Sequence, residues 1–170
     1  MSQHRLRPMV ETDLEQVLEW RNHPAVRKYM YSTHDISMDE HCVWFAHANK
    51  NPATALLIYE QVGKPQGFVN ITQTRCAEVA DWGFYLAPDA PKGSGSELGK
   101  QALNYAFTQL NLHKLCGQAL SLNTRSIAFH KRLGFVEEGC LREQHCDGSQ
   151  FHDILCFGLL SKEWQTLVKE

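Results

Sequence analysis

The segment 92–96, Lys-Gly-Ser-Gly-Ser, combines residue types that could bind a phosphate. It follows the strand-like run 82–86 and precedes a helical pattern. Glycine has no Cβ atom, so the backbone N–H groups around Gly93 and Gly95 are accessible, and a helix N-terminus adds partial positive charge at the same place. The segment therefore predicts a site for a phosphate-bearing ligand. The two glycines could instead form only a loop turn, since short glycine motifs often occur by chance.

Two common phosphate-binding motifs do not fit this segment. A P-loop needs Lys followed by Ser or Thr after its last glycine, and no such pair follows Gly95. A dinucleotide fingerprint needs a third glycine and an acidic residue about 20 residues later. Position 98 is Leu, and the residues near 115 are apolar or small. The ligand is therefore expected to be held in a different way.

A second segment, 123–135, has the pattern of a capped helix. Asn123 is a favourable N-cap residue, Ser126 lies in the first turn, and Gly134 is placed to end the helix. Together with the glycine-rich segment, this pattern resembles the GNAT superfamily of acyl-CoA-dependent N-acetyltransferases. In that family the glycine loop grips the pyrophosphate of acetyl-CoA, and the later helix typically opens with Asn and ends in Gly-Phe.

The resemblance implies that acetyl-CoA is the co-substrate and that no metal takes part. Two loop positions depart from the family pattern. Lys92 stands where Arg or Gln is usual, and Glu97 stands where a small residue is usual and would repel a phosphate. The implied cofactor-binding residues are Phe84, Tyr85, Leu86, Lys92, Gly93, Ser94, Gly95, Ser96, Glu97, Asn123, Ser126 and His130.

The implied chemistry is aminolysis of a thioester, in which a neutral amine attacks and a thiolate leaves. By resemblance, a backbone N–H of the strand 84–86 meets the acetyl carbonyl, and oriented donors of this kind supply much of a rate enhancement. Asp81, Gly83 and Tyr85 share one face of the strand because side chains alternate. The carboxylate of Asp81 could take the ammonium proton, directly or through water. Asp81 could equally pair with a basic neighbour or face solvent.

His130 stands where the family usually has a Tyr that protonates the leaving thiolate. The unperturbed pKa is about 6.5 for His and about 8.5 for a thiol, so His130 could donate only if its pKa were raised. A neutral His could still hydrogen-bond to the sulfur. Because a thiolate is already a tolerable leaving group, we expect the acid to matter little. The candidate catalytic residues are Asp81, Tyr85 and His130.

A third segment, 20–24, reads Trp-Arg-Asn-His-Pro and closes the first predicted helix. It resembles the PseH-type sugar-nucleotide N-acetyltransferases of pseudaminic acid biosynthesis, which acetylate the 4-amino group of UDP-4-amino-4,6-dideoxy-N-acetyl-β-L-altrosamine. The resemblance implies a UDP-amino-sugar as acceptor. It also implies a role in flagellin glycosylation, since pseudaminic acid commonly decorates flagellin. The implied substrate-binding residues are Trp20, Arg21, Asn22, His34, His41 and Asn70.

The acceptor-side residues also have purely structural explanations. Trp20 and Trp44 could pack in the core, where large aromatic side chains dominate, and Arg21 could interact with the dipole at its helix C-terminus. In a functional role, Arg21 suits a phosphate because its guanidinium presents paired N–H donors. Two other functions stay open: a protein N-terminal or small-amine acetyltransferase on the same fold, and a non-catalytic acetyl-CoA-binding module.

Composition limits the classes of function. The chain has 170 residues, of which 43% are hydrophobic, and this suits one domain with a full core. A net charge of −2 gives no support to nucleic-acid binding. No apolar run suits a bilayer span or a secretory signal, so we expect no membrane association and a cytoplasmic location. A homodimer is a possible assembly. The six cysteines are expected to be reduced, several of them buried. A zinc site of His145, Cys146, His152 and Cys156 fits no standard spacing.

The periodicity of the chain predicts the elements that hold these groups. The order β-α-α-β-β-β-α-β-α-β-β predicts an α+β fold and matches a single-domain GNAT fold, with a mixed, mostly antiparallel sheet and helices on both faces. Capping boxes at 12–15 and 37–40 predict the starts of the first two helices. The second helix is expected to bury Val43, Trp44 and Ala48. A hairpin turn is expected at 63–65.

Overall fold

The fold is built on one β-sheet, seen in a computed structural model that describes residues 3–169. Its strands are β1 His4–Pro8, β2 Thr54–Gln61, β3 Lys64–Gln73, β4 Val79–Leu86, β5 Lys114–Leu120, β6 Val136–Cys146 and β7 Phe151–Leu160. The helices are α1 Leu14–Asn22, α2 Pro24–Arg27, α3 Met38–Ala48, α4 Ser94–Asn104, α5 Thr124–Arg132 and α6 Ser161–Leu167. The strand order is β1-β2-β3-β4-β5-β7-β6, and all neighbours run antiparallel except β4 and β5.

Helices cover both faces of the sheet, and the alternation along β2 shows why. Leu57 and Tyr59 point to one face and pack in a cluster that also contains residues of α4 and α5. Leu56 and Ile58 point to the other face and pack with residues of α1 and α3. A strand that is apolar on both sides requires cover on both sides. The predicted α+β class and the mixed sheet between two helical layers are confirmed.

The sheet opens between β4 and β5. These two parallel strands pair only over three positions, from Val79 opposite Lys114 to Asp81 opposite Cys116. Beyond Asp81, β4 continues to Leu86 while its edge toward β5 has no strand partner among the described residues. Backbone N–H groups on that edge are therefore available to a ligand, because they have no ladder acceptor.

Most of the predicted elements are confirmed. The predicted order lacks α2, α6 and two short helical turns, a 3-10 turn at Glu11–Asp13 and a π-helical turn at Tyr105–Gln109. The capping box at Ser37 is formed: the Ser37 hydroxyl accepts from the N–H of Glu40 at 3.2 Å, and the Ser37 N–H donates to the Glu40 carboxylate at 2.8 Å. The hairpin between β2 and β3 turns at Val62 and Gly63, one residue earlier than expected, and both residues have positive φ.

The capping box predicted at 12–15 is wrong. Asp13 is buried, and its carboxylate accepts from the guanidinium of Arg7 at 2.7 and 2.8 Å. The same carboxylate accepts from the N–H of Val10 at 2.9 Å. Because Arg7 lies on the neighbouring strand β1, a tertiary ion pair fixes the start of this helix where a local cap was expected.

The buried face predicted for α3 is also wrong in part. His41 and Phe45 are buried, whereas Val43 is 59% exposed and Trp44 is 38% exposed. His41 and Phe45 are four residues apart and so share one face of the helix. The apolar pattern alone favoured Val43 because it gave no reason to bury a histidine.

The cysteines are less buried than expected. All six are free, Cys116 and Cys156 are half-buried, and the other four are exposed. Within residues 3–169, no group of three or more His, Cys, Asp or Glu side chains is arranged to hold a metal ion. In the same part of the chain, no helix has the length and hydropathy needed to cross a membrane.

Candidate active site

The face of the sheet that α1 and α3 cover carries three cross-strand rows of side chains, each running over β2, β3 and β4. The rows are Thr54–Thr72–Asp81, Leu56–Asn70–Gly83 and Ile58–Phe68–Tyr85. We call this surface the acceptor face. It brings together Asp81, Tyr85 and Asn70 of the predicted site, because the antiparallel register sets them on adjacent strands.

Asp81 lies at the point where β4 and β5 begin to separate, opposite Cys116. The Asp81 side chain is exposed, and partial desolvation raises the pKa of its carboxyl group. Among the described residues no basic side chain pairs with it, and desolvation is the sole cause of its shift. A carboxylate with a raised pKa and no cationic partner can accept a proton from an ammonium ion.

Asn70 lies directly across Gly83 of β4. A Cβ atom at position 83 would lie 2.5 Å from the Oδ1 of Asn70, so only glycine allows the amide to approach this strand. No hydrogen bond within residues 3–169 engages the Asn70 side chain, which is half-buried. An amide with one acceptor and two donors is therefore available to a ligand on the acceptor face.

Arg21 carries an unsatisfied donor next to Tyr85. Its Nη2 donates to the Ser32 carbonyl at 2.9 Å, whereas its Nη1 is buried without a partner among the described residues. Burial lowers the pKa of the guanidinium, but Arg stays charged because its pKa starts above 12. Desolvation raises the pKa of the Tyr85 hydroxyl, and the charge of Arg21 opposes that shift. Tyr85 is therefore a neutral phenol at physiological pH.

The other predicted acceptor residues differ in how they are used within the protein. Trp20 is 4% exposed and lies in the core cluster between α1 and the sheet. Asn22 clamps the following loop, since its Nδ2 donates to the Ile36 carbonyl at 2.8 Å and its Oδ1 accepts from the Ile36 N–H at 2.9 Å. His34 is exposed and lies 3.2 Å from the carboxylate of Glu40. Packing and loop clamping thus account for Trp20 and Asn22.

His41 is buried beneath α3 and is 4% exposed. Its ring stacks on Trp44 with centroids 5.1 Å apart. Desolvation lowers its pKa, although a hydrogen bond with the backbone of Leu14 acts in the opposite direction. The Nε2 atom is buried and has no partner among the described residues. It can bond to a polar group of a ligand.

The glycine-rich segment forms the N-terminus of α4. Gly93 is the N-cap with φ of +94°, a left-handed conformation that favours glycine. Within the described residues, the backbone N–H groups of Gly93 and Gly95 donate to no protein carbonyl. Glu97 lies in the first turn, and its carboxylate accepts from the Nζ of Lys100 at 3.1 Å. Two free N–H groups at a helix N-terminus can bind a diphosphate.

The remaining residues expected at the cofactor lie on β4, at the start of α4 and at the start of α5. Ser94 is buried, and its hydroxyl donates to Gln61 at 3.1 Å, so it is already used within the protein. Asn123 is the N-cap of α5 and accepts from the N–H of Ser126 at 3.1 Å. Lys92 and Ser96 are exposed, while Phe84, Leu86, Asn123 and Ser126 are half-buried.

His130 is enclosed on the opposite face of the sheet and is 1% exposed. Its Nε2 accepts from the indole N–H of Trp82 at 3.2 Å, and its Nδ1 donates to the Ser126 carbonyl at 2.8 Å. The ring also stacks on Phe157 with centroids 4.8 Å apart. Desolvation lowers its pKa. His130 is therefore a neutral imidazole with both nitrogens bonded, a poor source of protons.

Two residues of this region were not singled out from the sequence. Trp82 supplies the donor to His130, from a strand 48 positions earlier in the chain. Tyr31 extends from the loop before α3 to β5, where its hydroxyl donates to Gln118 at 2.8 Å. Neither contact has a local sequence signal, because each joins residues far apart in the chain.

Comparison with known proteins agrees with this geometry. Residues 4–136 match the family model described as an acetyltransferase (GNAT) domain. The chain is 33% identical to the uncharacterized N-acetyltransferase YokL of Bacillus subtilis over 87 residues. This stretch is 49% of each chain. It is 26% identical over 145 residues to the acetyltransferase PseH of Campylobacter jejuni, covering 79% of this chain and 88% of the relative.

A solved structure extends the likeness to nearly the whole chain. The crystal structure of spermidine N-acetyltransferase from Vibrio cholerae, in complex with CoA and spermine, superposes with a TM-score of 0.89. It is 25% identical, and the match covers 97% of this chain and 99% of the other. These comparisons leave the acceptor to be argued from the residues of the site.

Proposed function

We propose an acceptor for this chain on the premise that it belongs to the GNAT acetyltransferase family. As a member of that family it is an acetyl-CoA-dependent N-acetyltransferase. The proposed acceptor is the 4-amino group of a UDP-linked 4-amino-4,6-dideoxy sugar, as in pseudaminic acid biosynthesis and flagellin glycosylation. The homodimer and the cytoplasmic location stay predictions.

The observation that carries the proposal is the buried Nη1 of Arg21, which has no partner among the described residues. A buried donor of a charged group costs free energy unless something satisfies it, and the cost is larger than for a neutral group. A phosphate satisfies it well, since guanidinium and phosphate oxygens form paired, charge-assisted hydrogen bonds. An acceptor with a diphosphate supplies this anion, and a polyamine, which is a polycation, does not.

The second unsatisfied atom, Nε2 of His41, supports the same class of acceptor. His41 lies on α3, which covers the same face of the sheet as α1, the helix that carries Arg21. A sugar nucleotide carries hydroxyl, amide and phosphate groups that can bond to an imidazole nitrogen. The same acceptor therefore accounts for both buried atoms.

The proposed reaction uses the groups where β4 and β5 separate. Asp81 accepts the proton of the ammonium group, which leaves the amine neutral for attack on the thioester carbonyl. The unpaired edge of β4 offers N–H groups to the carbonyl oxygen as negative charge develops there. The N–C bond forms, the C–S bond breaks and CoA leaves as a thiolate, which takes up the second proton that the nitrogen loses on becoming an amide. The N–H groups of Gly93 and Gly95, with the exposed Lys92, would hold the CoA diphosphate.

A second candidate acceptor is a polyamine, and the likeness to spermidine N-acetyltransferase favours it. A polyamine needs free carboxylates around its ammonium groups. Here Glu40 caps α3 and contacts His34, while Asp35 pairs with Arg27. Asp81 is the remaining carboxylate that the acceptor face offers among the described residues. This arrangement supports the sugar nucleotide over the polyamine.

Isothermal titration separates the two acceptors. With CoA present to occupy the donor side, the protein is titrated with UDP and, separately, with spermine. The proposal predicts binding of UDP and no saturable binding of spermine. Binding of spermine without binding of UDP would reverse the assignment.

A further inference from the structure

A cleft opens on the acceptor face between α3 and strands β2 and β3, with a volume of about 460 Å³. Asn70 and Thr72 form part of its floor. These two residues lie opposite Gly83 and Asp81 of β4. The cleft is therefore adjacent to Asp81, the base of the proposed reaction.

We propose that this cleft binds the nucleobase of the acceptor, a planar and uncharged heterocycle such as uracil. This inference rests on the proposed function and adds to it the place where the nucleotide is recognised. It makes Trp44 the residue that determines specificity for a nucleotide-linked acceptor.

Trp44 forms one wall of the cleft and is held in place from two sides. Its ring stacks on His41, with centroids 5.1 Å apart and an interplanar angle of 19°. It also meets the ring of Phe68 edge-on at 5.9 Å and 69°. Even so, 38% of the side chain is exposed. A large aromatic ring that is fixed and still exposed provides a ready surface for stacking a base, because little side-chain freedom is lost on binding.

The polar groups of the cleft match the edge of a pyrimidine. Uracil presents one N–H donor between two carbonyl acceptors. The side chain of Asn70 makes no hydrogen bond to any other described residue. Asn51 uses its Oδ1 to accept from the N–H of Ala53 at 3.0 Å, which leaves its amide donors free. The two amides can therefore supply both an acceptor and donors.

The charge of the cleft lining favours a neutral group. The described residues around it include no Asp, Glu, Lys or Arg side chain. Apolar contacts come from Ala48 and Leu56, which complete a surface for a ring. An ammonium end of a polyamine would lose hydration there without gaining a carboxylate, which is costly. The cleft thus separates the two acceptor classes independently of Arg21.

The test compares Trp44→Leu with Trp44→Phe in the full-length chain, using acetyl-CoA and a UDP-4-amino-sugar. If Trp44 stacks on the base, Trp44→Leu should raise KM for the sugar nucleotide about tenfold or more, with a smaller change in kcat. Trp44→Phe, which keeps an aromatic ring, should retain most of the affinity for the sugar nucleotide. Val43→Ala is the matched control, since Val43 is the preceding residue of the helix and is 59% exposed. An unchanged KM in Trp44→Leu would overturn the inference while leaving the proposed function intact.

Inhibition distinguishes failure of the cleft from failure of the acceptor assignment. UDP should inhibit wild type competitively with the sugar nucleotide and inhibit Trp44→Leu about tenfold more weakly. Pyrophosphate, which has no base, should inhibit both forms equally. If no UDP-amino-sugar is acetylated, the proposed function fails, and titration of wild type and Trp44→Leu with UMP still decides the cleft. Equal affinity of both forms for UMP would contradict it.

Discussion

The two buried histidines of this enzyme show how its two sides differ. His130, on the donor side, has both ring nitrogens bonded within the protein, to Trp82 and to the backbone of Ser126. His41, on the acceptor side, leaves its buried Nε2 without a partner among the described residues, and Arg21 leaves its Nη1 in the same condition. Burial lowers the pKa of both imidazoles. A buried polar atom without a hydrogen-bond partner in the protein indicates where a polar ligand binds.

The largest expected effect comes from Asp81→Asn, which removes the proposed base. It should lower kcat by about 100- to 10,000-fold, the range of general base catalysis. Desolvation raises the Asp81 pKa, so in wild type kcat/KM should fall as the pH drops through that raised value and the carboxylate becomes protonated. The variant should lose this acid limb. Asp39→Asn, in the first turn of α3, is the control, and a normal pH profile in Asp81→Asn would assign the base elsewhere.

Arg21→Lys should have the next largest effect, on KM for the sugar nucleotide. Lys keeps the charge but loses the paired N–H donors, so we expect KM to rise about 10- to 100-fold. Initial rates at varied acceptor concentration measure this. Arg27→Lys, where the side chain pairs with Asp35, should behave as wild type. A KM unaffected by Arg21→Lys would contradict phosphate binding at this residue.

His130→Phe should reduce kcat by less than about 100-fold, because the enclosed imidazole is no general acid. Its main effect should be on stability, since the Trp82 indole N–H is left buried without an acceptor, at a cost of about 1–3 kcal/mol. Urea denaturation measures the free energy of unfolding. A loss of several thousandfold in kcat with normal acetyl-CoA binding would show that His130 acts in the chemistry.

The same variant has a pH signature. The folded-state pKa of His130 is lowered, so the unfolded chain binds this proton more readily. The contribution of neutral His130 to the free energy of unfolding is fully present above the unfolded-state pKa of about 6.5. It is lost as the pH falls toward the folded-state pKa. His130→Phe should therefore lose less stability on acidification than wild type does.

The smallest expected effect is that of Glu97→Gln on acetyl-CoA. Removing a carboxylate from the first turn of α4 should lower KM for acetyl-CoA by about two- to fivefold, since exposed charge interactions are weak. The ion pair of Glu97 with Lys100 already offsets part of the repulsion between the Glu97 carboxylate and the phosphates of acetyl-CoA. The difference should shrink at high salt. A higher KM in the variant would mean that Glu97 supports the loop.

Features encoded within a few residues could be predicted from the sequence. The glycines before α4, the Asn123 cap and the box at Ser37 each depend on residues close together in the chain. The shared face of Asp81 and Tyr85 followed from strand alternation. These local rules predicted the starts of α4 and α5 and the face of β4 that the proposed reaction uses.

Features made by distant residues could not be predicted. The ion pair of Arg7 with Asp13 replaced the expected cap, and the burial of His41 turned α3 to a face that the apolar pattern did not favour. The bond between Trp82 and His130 forms only when β4 and α5 meet. Contacts of this kind also decide which acceptor-side atoms stay unpaired among the described residues, such as the buried Nε2 of His41, and no pattern in the sequence indicated that.

The most direct test of the acceptor assignment is a competition assay. Wild-type enzyme is incubated with limiting acetyl-CoA and equal amounts of a UDP-4-amino-4,6-dideoxy sugar and spermidine, and the products are identified by mass spectrometry. We expect the acetyl group to be recovered on the sugar nucleotide. Recovery of acetyl on spermidine, with the sugar nucleotide unchanged, would contradict it.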